Sequence, residues 1–180
     1  MSSPLKSGLR PTGVTLTELL VALAIAAILM MLAVPLLSRQ RAEAAVRVAA
    51  DRTVAALHLA RQQALATGHS VTVCPSPDTG RCGFGSPAWM LFENLPGGVD
   101  SRREPAELLV QQWRLPQGVV VTGSRGYATY QPATSAAATL SFDFCFTSVP
   151  AARRSVIVSQ TGRARIARPA STAVPLPCHA

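Results

Sequence analysis

An uninterrupted apolar segment near the N-terminus constrains this chain more than any other feature. From Leu19 to Leu37 every residue is apolar, apart from the imino acid Pro35. A helix needs roughly 20 apolar residues to cross the ~30 Å hydrocarbon core of a bilayer, so the segment is long enough to span a membrane. The preceding residues 1–13 carry Lys6 and Arg10 but no acidic residue. Positive charge on that flank favours a cytoplasmic N-terminus, with the rest of the chain across the membrane.

One carboxylate, Glu18, stands at the start of this segment. An ionisable group placed in hydrocarbon costs a few kcal/mol, which makes it a functional hypothesis by default. Two simpler interpretations remain open. The segment could be a secretory signal or a plain anchor, although a secretory hydrophobic region has roughly 7–15 residues and ends at a small-residue cleavage site, and none is obvious here. Glu18 could also be only a favourable charge at a helix N-terminus, worth ~0.3–1 kcal/mol.

The residues from Gly13 to Ile25, G-V-T-L-T-E-L-L-V-A-L-A-I, resemble the class III signal of type IV pilins and type II secretion pseudopilins. The resemblance implies that a prepilin peptidase cleaves between Gly13 and Val14 and methylates the new N-terminus. It also implies an assembly role for Glu18, whose carboxylate would pair with the Val14 ammonium of a neighbouring subunit. Such a pair attracts more strongly in a low-dielectric medium than in water. The chain departs from the family at Val14, where phenylalanine is usual, and at Thr17, where isoleucine is commoner.

The helix is expected to continue well beyond the apolar segment. Residues 38–67 are rich in alanine and contain neither proline nor glycine, and Gly68 supplies a stop. Apolar residues recur there at three- and four-residue spacing, so we predict one helix from Leu16 to Thr67, kinked near Pro35. The expected organisation is a leader (1–13), a transmembrane and assembly helix (14–37), a periplasmic amphipathic helix (38–67) and a β-rich domain with a basic C-terminal hairpin and tail (68–180).

The C-terminal domain has the pattern of short β-strands separated by turn residues. The predicted strands are His69–Pro75, Ala88–Glu93, Glu107–Trp113, Val119–Thr122, Tyr127–Tyr130, Thr139–Phe146, Ser155–Ser159 and Arg163–Ile166. The last two are joined by Q-T-G, a three-residue hairpin loop. We therefore expect an α+β protein, in which a long helix packs on an antiparallel β-sheet domain.

Four cysteines, Cys74, Cys82, Cys145 and Cys178, all follow the apolar segment. By the orientation above they lie outside the cytoplasm, where an even count indicates disulfides. Three pairings are possible. We favour Cys74–Cys82, which closes a short loop, and Cys145–Cys178, which ties the tail to the sheet. A zinc site is the alternative, but the sequence has no C-x-x-C, and His179 is the only histidine beside a cysteine.

The C-terminal domain points to one family among the pilins and pseudopilins. The segments C-P-S…C…A-W-M-L-F-E-N and S-V-I-V-S-Q-T-G-R-A-R-I, with a terminal cysteine, resemble the FimT/GspH family of minor pilins and minor pseudopilins. The resemblance implies a type IV pilin-like fold, other pilin or pseudopilin subunits as partners, and no cofactor. The residues themselves offer no nucleophile elbow, phosphate-cradling loop or metal-ligand cluster. We therefore expect a protein that is not an enzyme and holds no metal.

The positive charge of the chain is the remaining sequence feature that bears on function. The chain carries a formal net charge of +8, which favours an acidic partner. From Cys145 to the C-terminus there is no acidic residue but there are five arginines: Arg153, Arg154, Arg163, Arg165 and Arg168. Arg163 and Arg165 are two residues apart on a predicted strand, so both should face the same way. We place Arg153 and Arg154 just before the partner strand, across the turn.

The segment Gly162-Arg163-Ala164-Arg165 resembles the G-R-x-R motif with which FimT-like minor pilins bind DNA. The resemblance gives a DNA-contact role to Arg163 and Arg165, and more weakly to Arg153, Arg154 and Arg168. Gly162 would allow the bend that starts the strand, and Gln160 could hydrogen-bond phosphate or sugar. The simpler interpretation is a solvated basic edge that blocks edge-to-edge aggregation.

The sequence thus predicts a minor type IV pilin of the bacterial inner membrane. Its single span would leave the N-terminus cytoplasmic and the C-terminal domain periplasmic before assembly into a pilus. It would bind DNA for uptake in natural transformation, independently of sequence because no helix or ribbon is arranged for base readout. The alternative is a GspH-like minor pseudopilin, a structural tip component of a type II secretion system that does not bind DNA.

Overall fold

A computed structural model describes residues 15–77, 80–132, 137–167 and 178. The expected α+β class is confirmed, with one long helix and antiparallel strands. The elements are α1 (Leu16–Thr67), β1 (Val71–Pro75), β2 (Ala88–Glu93), β3 (Leu109–Arg114), β4 (Val119–Gly123), β5 (Ala128–Tyr130), β6 (Leu140–Phe146), β7 (Val149–Val158) and β8 (Ala164–Ala167).

Both ends of α1 lie where the sequence predicts them. The Thr15 hydroxyl oxygen accepts a hydrogen bond from the Glu18 backbone N–H (3.3 Å), the contact of an N-cap residue. At the other end Gly68 has φ of 74° and its N–H bonds the Ala64 carbonyl. A left-handed residue directly after the last turn is the usual helix stop, and glycine adopts that conformation without strain.

The chain divides into two compact units, with the boundary between Ser38 and Arg39. In the first unit the large apolar side chains of α1 are exposed; Leu19, Val21 and Ile28 each leave more than half of their surface uncovered. This part of α1 is long and apolar enough to cross a membrane. A bilayer would supply the apolar surroundings that these side chains lack within the chain itself.

In the second unit, α1 buries one face against the sheets. Small residues dominate this face, with Ala49, Ala50, Ala60 and Ala64 each no more than 1% exposed. Alanines keep the helix surface flat, so larger side chains from the strands can pack closely against it. Leu57 is also fully buried. The spacing of these residues is the helical period that the sequence displayed.

The strands form two antiparallel four-stranded sheets, with orders β3-β2-β1-β5 and β4-β6-β7-β8. Trp89 of β2 joins them. Its ring stacks on Trp113 at 5.5 Å between centroids and meets the edge of Phe142 at 5.1 Å, and Phe144 stacks at 6.0 Å. Offset and edge-to-face ring pairs add about 0.5–1.5 kcal/mol each beyond the area they bury. The aromatic cluster therefore fixes the first sheet against the second.

The main error in the predicted strands is the start of β7. The sequence predicts a start at Ser155, whereas the strand begins at Val149; it pairs with β6 from Arg153 to Val158 and again at Val149. Its first half contains Pro150 together with alanines and arginines, all poor strand formers. Pairing with β6 overrides these local preferences. The partner register shifts by a bulge between Cys145 and Phe146.

A second correction concerns Glu107, which the sequence places at the start of a strand. β3 begins only at Leu109, and Glu107 is a buried residue, 1% exposed, that organises the preceding loop. Its carboxylate accepts hydrogen bonds from the backbone N–H groups of Leu95 (3.1 Å) and Glu104 (2.8 Å). Gly98 lies so close that an added Cβ would stand 2.5 Å from the Glu107 Oε1 atom.

Both favoured disulfides are present, Cys74–Cys82 and Cys145–Cys178, with Cα separations of 5.4 and 6.0 Å. The first fastens the loop after β1 to that strand. The second attaches the chain terminus to β6, and Cys178 is buried there.

Candidate nucleic-acid interface

The β7–β8 hairpin presents the predicted DNA-contacting residues, and its tip is closed by several hydrogen bonds. The Ser159 N–H bonds the Arg163 carbonyl (3.1 Å), and the Gly162 N–H bonds the Ser159 carbonyl (2.8 Å). The Ser159 and Thr161 hydroxyls are 2.8 Å apart. Gly162 has φ of 73°, so the expected bend before the strand is present and favours glycine.

A buried tyrosine attaches this tip to the first sheet. The Tyr130 hydroxyl of β5 donates a hydrogen bond to the Gly162 carbonyl (3.1 Å), and the Tyr130 side chain is fully buried. Burial raises the pKa of Tyr130 to about 12, although the positive charge of Arg61 acts in the opposite direction. The phenol therefore stays protonated as a donor at neutral pH. Sequence reasoning missed this residue because its partner lies 32 positions away.

Arg163 and Arg165 are the most accessible cations of the hairpin. Both are exposed, whereas Ala164 between them is buried, so the two side chains leave the same face of the chain. Arg165 lies opposite Ile157 on β7, and β8 is the edge strand of its sheet. Within the residues that the structure describes, neither guanidinium forms an ion pair. Their hydrogen-bond donors therefore point into solvent.

Arg153 and Arg154 do not join this pair, which corrects the expected cluster. Both lie inside β7, and Arg153 is four residues from Ile157, a separation of about 13 Å along a strand. Arg153 Nε donates to the Pro150 carbonyl (2.7 Å) and its NH2 group lies 3.6 Å from Cys178 Sγ. The Arg154 guanidinium donates to the Arg153 carbonyl (2.7 Å). Both side chains are half-buried and engaged with the protein itself.

The remaining predicted site residues have varied surroundings. Gln160 is exposed at the hairpin tip, and its carbonyl accepts a bond from the Ala137 N–H. Glu18 is exposed in the first turn of α1. Gly13, Val14 and Arg168 lie outside the described residues.

One acidic residue shares the outer face of the second sheet with the hairpin arginines. The Asp143 carboxylate of β6 accepts hydrogen bonds from the hydroxyls of Ser155 and Ser141. The alternation in L-S-F-D-F-C-F already places Ser141, Asp143 and Cys145 on one face. Across residues 15–77, 80–132 and 137–167, no group of three His, Cys, Asp or Glu side chains could hold a metal ion.

The helix, the two sheets and the basic edge together define a type IV pilin-like protein. The family model described as Type II transport protein GspH matches residues 49–162, more than half of the chain, so the protein belongs to the GspH family. The model of the prokaryotic N-terminal methylation motif matches residues 10–34. With the apolar segment of α1, this match indicates a membrane-anchored pilin or pseudopilin. A search of curated protein sequences finds no significant match.

Solved structures share the fold at low sequence identity. The type IV minor pilin FimU of Pseudomonas aeruginosa is 15% identical with a TM-score of 0.52, and the match covers 74% of this chain and 99% of FimU. The minor pseudopilin EpsH from the type II secretion system of Vibrio cholerae is 10% identical with a TM-score of 0.52, covering 72% of this chain and 98% of EpsH. The fold is thus common to a pilus component and a secretion component.

Proposed function

We propose that this protein is a minor type IV pilin that binds DNA through the tip and edge of the β7–β8 hairpin. It would be anchored in the inner membrane with its C-terminal domain in the periplasm, and would act in DNA uptake after assembly into a pilus. The observation that carries the proposal is the pair Arg163 and Arg165: both are exposed and neither has an acidic partner among the described residues.

The chemistry of the pair suits phosphate. A guanidinium offers a planar fork of donors that matches two phosphate oxygens, and charge-assisted bonds of this kind are about twice as strong as neutral ones. The Tyr130–Gly162 hydrogen bond supports the hairpin tip next to Arg163, so little chain entropy is lost on binding. Contacts to phosphate carry no sequence information directly, so binding through these two arginines should be independent of sequence.

A GspH-like minor pseudopilin of a type II secretion system is the second candidate. The family model itself favours it, because it is described as Type II transport protein GspH and its match ends at Gly162, just before the two arginines. In that case the basic edge would contact partner subunits or acidic cargo.

Fluorescence anisotropy of a labelled duplex of about 24 base pairs, titrated with the full-length chain in an uncharged detergent, tests the proposal. We expect binding at low salt that the variant Arg163→Gln/Arg165→Gln loses at least tenfold. Its slope of log K against log[salt] should be about 2 units shallower, since each phosphate contact contributes ~0.9.

The matched control is Arg47→Gln/Arg52→Gln, which removes the same charge from exposed positions on α1. It should bind like the wild type. Equal losses in both variants would mean that net charge alone attracts DNA, and absence of binding at low salt would favour the pseudopilin.

A further inference from the structure

A second group of exposed arginines lies on loops of the first sheet, where the resemblance assigned no function. Arg81, in the loop closed by the Cys74–Cys82 disulfide, lies opposite Arg102 in an isolated antiparallel bridge. Hydrogen bonds flank the two arginines, from the Cys82 N–H to the Ser101 carbonyl (2.9 Å) and from the Arg103 N–H to the Gly80 carbonyl (2.6 Å).

This hydrogen-bond pattern brings the two arginines unusually close. Residues flanked in this way form a non-hydrogen-bonded pair, in which the Cα atoms are only ~4.5 Å apart and both side chains leave the same face. Like charges in such a pair destabilise the fold. Both arginines are exposed, and within the described part of the chain neither forms an ion pair. An anion between them would remove the repulsion.

Among the described residues, the nearby Asp100 carboxylate forms no ion pair with Arg81 or Arg102. Asp100, two residues before Arg102, is partly buried, and burial raises the pKa of its carboxyl while a hydrogen bond with Thr129 lowers it. The neighbouring Arg103 is also engaged, because its guanidinium donates to the Glu107 carbonyl at 2.9 and 3.1 Å. Within the part of the chain that the structure describes, no carboxylate pairs with Arg81 or Arg102.

A third arginine connects this pair to the hairpin. The Arg125 guanidinium lies over the Tyr127 ring, 5.7 Å from its centroid. A Cβ on the next residue, Gly126, would stand 3.4 Å from the Cα of Gly83, which is two residues beyond Arg81. Arg125 therefore belongs to the same side of the molecule as the loop that carries Arg81.

The register of the second sheet sets the distance from Arg125 to the hairpin. Ser124 hydrogen-bonds Ser141 through backbone and side chain at 3.2 and 3.0 Å, Ser141 faces Ile157, and Ile157 faces Arg165. This row crosses three strand spacings of ~4.8 Å, about 14 Å in total. A DNA duplex covers that distance in about four base pairs, at 3.4 Å each.

We propose that Arg81, Arg102 and Arg125 form a second phosphate-contacting surface, which the DNA held by Arg163 and Arg165 reaches across the end of the second sheet. The inference rests on the proposed DNA binding of the hairpin. It extends the interface from one strand edge to a track that runs across the strands, in which the Arg81–Arg102 pair binds a backbone phosphate. Tyr127 with Arg125 adds a flat, positively charged contact.

The experiment is the same anisotropy titration of the full-length chain with Arg81→Gln/Arg102→Gln. We expect affinity for the 24-base-pair duplex to fall about tenfold and the salt slope to become about 2 units shallower, as each lost phosphate contact predicts. Without DNA, the variant should melt at or above the wild-type temperature, because the opposed like charges are gone. If the pair served only stability, the variant would instead bind DNA with unchanged affinity and melt at a lower temperature than the wild type.

The outcomes separate this inference from the proposed function. Loss of binding in the hairpin variant alone would overturn the second surface and leave the hairpin site intact. Loss in the loop variant alone would overturn both the hairpin site and the track that extends from it, because the loops would then hold the DNA by themselves. Equal affinity of Arg81→Gln/Arg102→Gln and the control Arg47→Gln/Arg52→Gln would also refute the second surface. So would a loop variant that binds DNA normally but no longer binds an acidic protein partner.

Discussion

Tyr130 is the single side chain on which the geometry of the hairpin tip depends most. Its hydroxyl binds the carbonyl of Gly162, and its ring is buried between the sheet and α1, within the electrostatic reach of Arg61. The residue is thus a positioning residue for Arg163, which follows Gly162 directly. Because Gly162 is buried as well, water cannot replace the Tyr130 hydroxyl as the hydrogen-bond donor to this carbonyl.

Replacing Tyr130 by phenylalanine should destabilise the protein with little change in shape. The Gly162 carbonyl would be left buried without a donor, which costs about 1–3 kcal/mol of unfolding free energy. Urea denaturation followed by tryptophan fluorescence measures this change. Tyr127→Phe is the control, since the Tyr127 hydroxyl makes no hydrogen bond within the described residues, and its stability should stay within about 0.5 kcal/mol of wild type.

The same residue predicts how stability changes in alkali. Burial raises the pKa of folded Tyr130 from 10.0 to about 12, so the unfolded chain loses this proton first. Stability from this group is therefore complete below pH 10 and falls as the pH rises towards 12, by up to about 3 kcal/mol. Tyr130→Phe should abolish the fall. The chain has only two tyrosines and one lysine, so few other groups obscure it. An unchanged pH profile in the variant would contradict the assignment.

Single residues were predictable where the local pattern decides their exposure. Arg163 and Arg165 leave the same face because they are two apart on a strand, and Gly162 marks the bend. Tyr130 and Glu107 were not predictable, since their roles depend on partners brought near by the fold. Glu107 also directly precedes the apolar residues Leu108, Leu109 and Val110, a pattern that equally fits a strand.

At the scale of elements, the loop between β2 and β3 depends on one carboxylate. Glu107→Ala would leave the backbone N–H groups of Leu95 and Glu104 without their acceptor. We expect a loss of about 2 kcal/mol of unfolding free energy, because two part-buried hydrogen bonds would be lost at about 1 kcal/mol each. Amide hydrogen exchange should also accelerate at these two residues.

The exposed Glu104 provides a matched control for this prediction. Glu104→Ala removes a neighbouring carboxylate from the same loop but leaves its backbone N–H bonded to Glu107. A loss in this variant as large as in Glu107→Ala would show that general negative charge, rather than the two hydrogen bonds, holds the loop.

Element boundaries followed from sequence wherever composition and periodicity agreed. The bounds of α1 and β2 match the prediction because alanine and glycine mark the helix, and a continuous apolar run followed by turn residues marks the strand. The predicted β7 starts too late, because the segment from Val149 to Arg154 as a whole does not favour a strand by its composition. Its first half joins the sheet because β6 supplies partners for Val149, Arg153 and Arg154. That is a property of the assembled sheet, which local sequence does not encode.

At the scale of the whole molecule, Glu18 is the residue that we expect to govern assembly. Its side chain is exposed at the start of an apolar helix and forms no ion pair with any residue that the structure describes. Glu18→Ala should leave processing intact but lower incorporation into filaments severalfold, since an opposite charge on a neighbouring subunit would lose its partner. Immunoblots of sheared filaments and membranes measure the two pools. Glu43→Ala, further along α1, is the control.

Incorporation of Glu18→Ala at the wild-type level would remove the pairing hypothesis and leave Glu18 as a helix-terminal charge. The two proposed DNA surfaces do not depend on this result, because their residues belong to the unit that begins at Arg39. Defective filaments with normal DNA binding by the purified chain would therefore be the expected combination.

The two disulfides close at different moments in the life of the chain. Cys74 and Cys82 are eight positions apart and can meet as soon as their loop has emerged, whereas the partner of Cys145 lies 33 positions further along the chain. Under oxidising conditions Cys145 therefore stays a free thiol until the chain has been made as far as Cys178. A product truncated after β8 would carry Cys145 unpaired. We expect such a chain to form mixed disulfides with other thiols, a chemical difference from chains that contain Cys178.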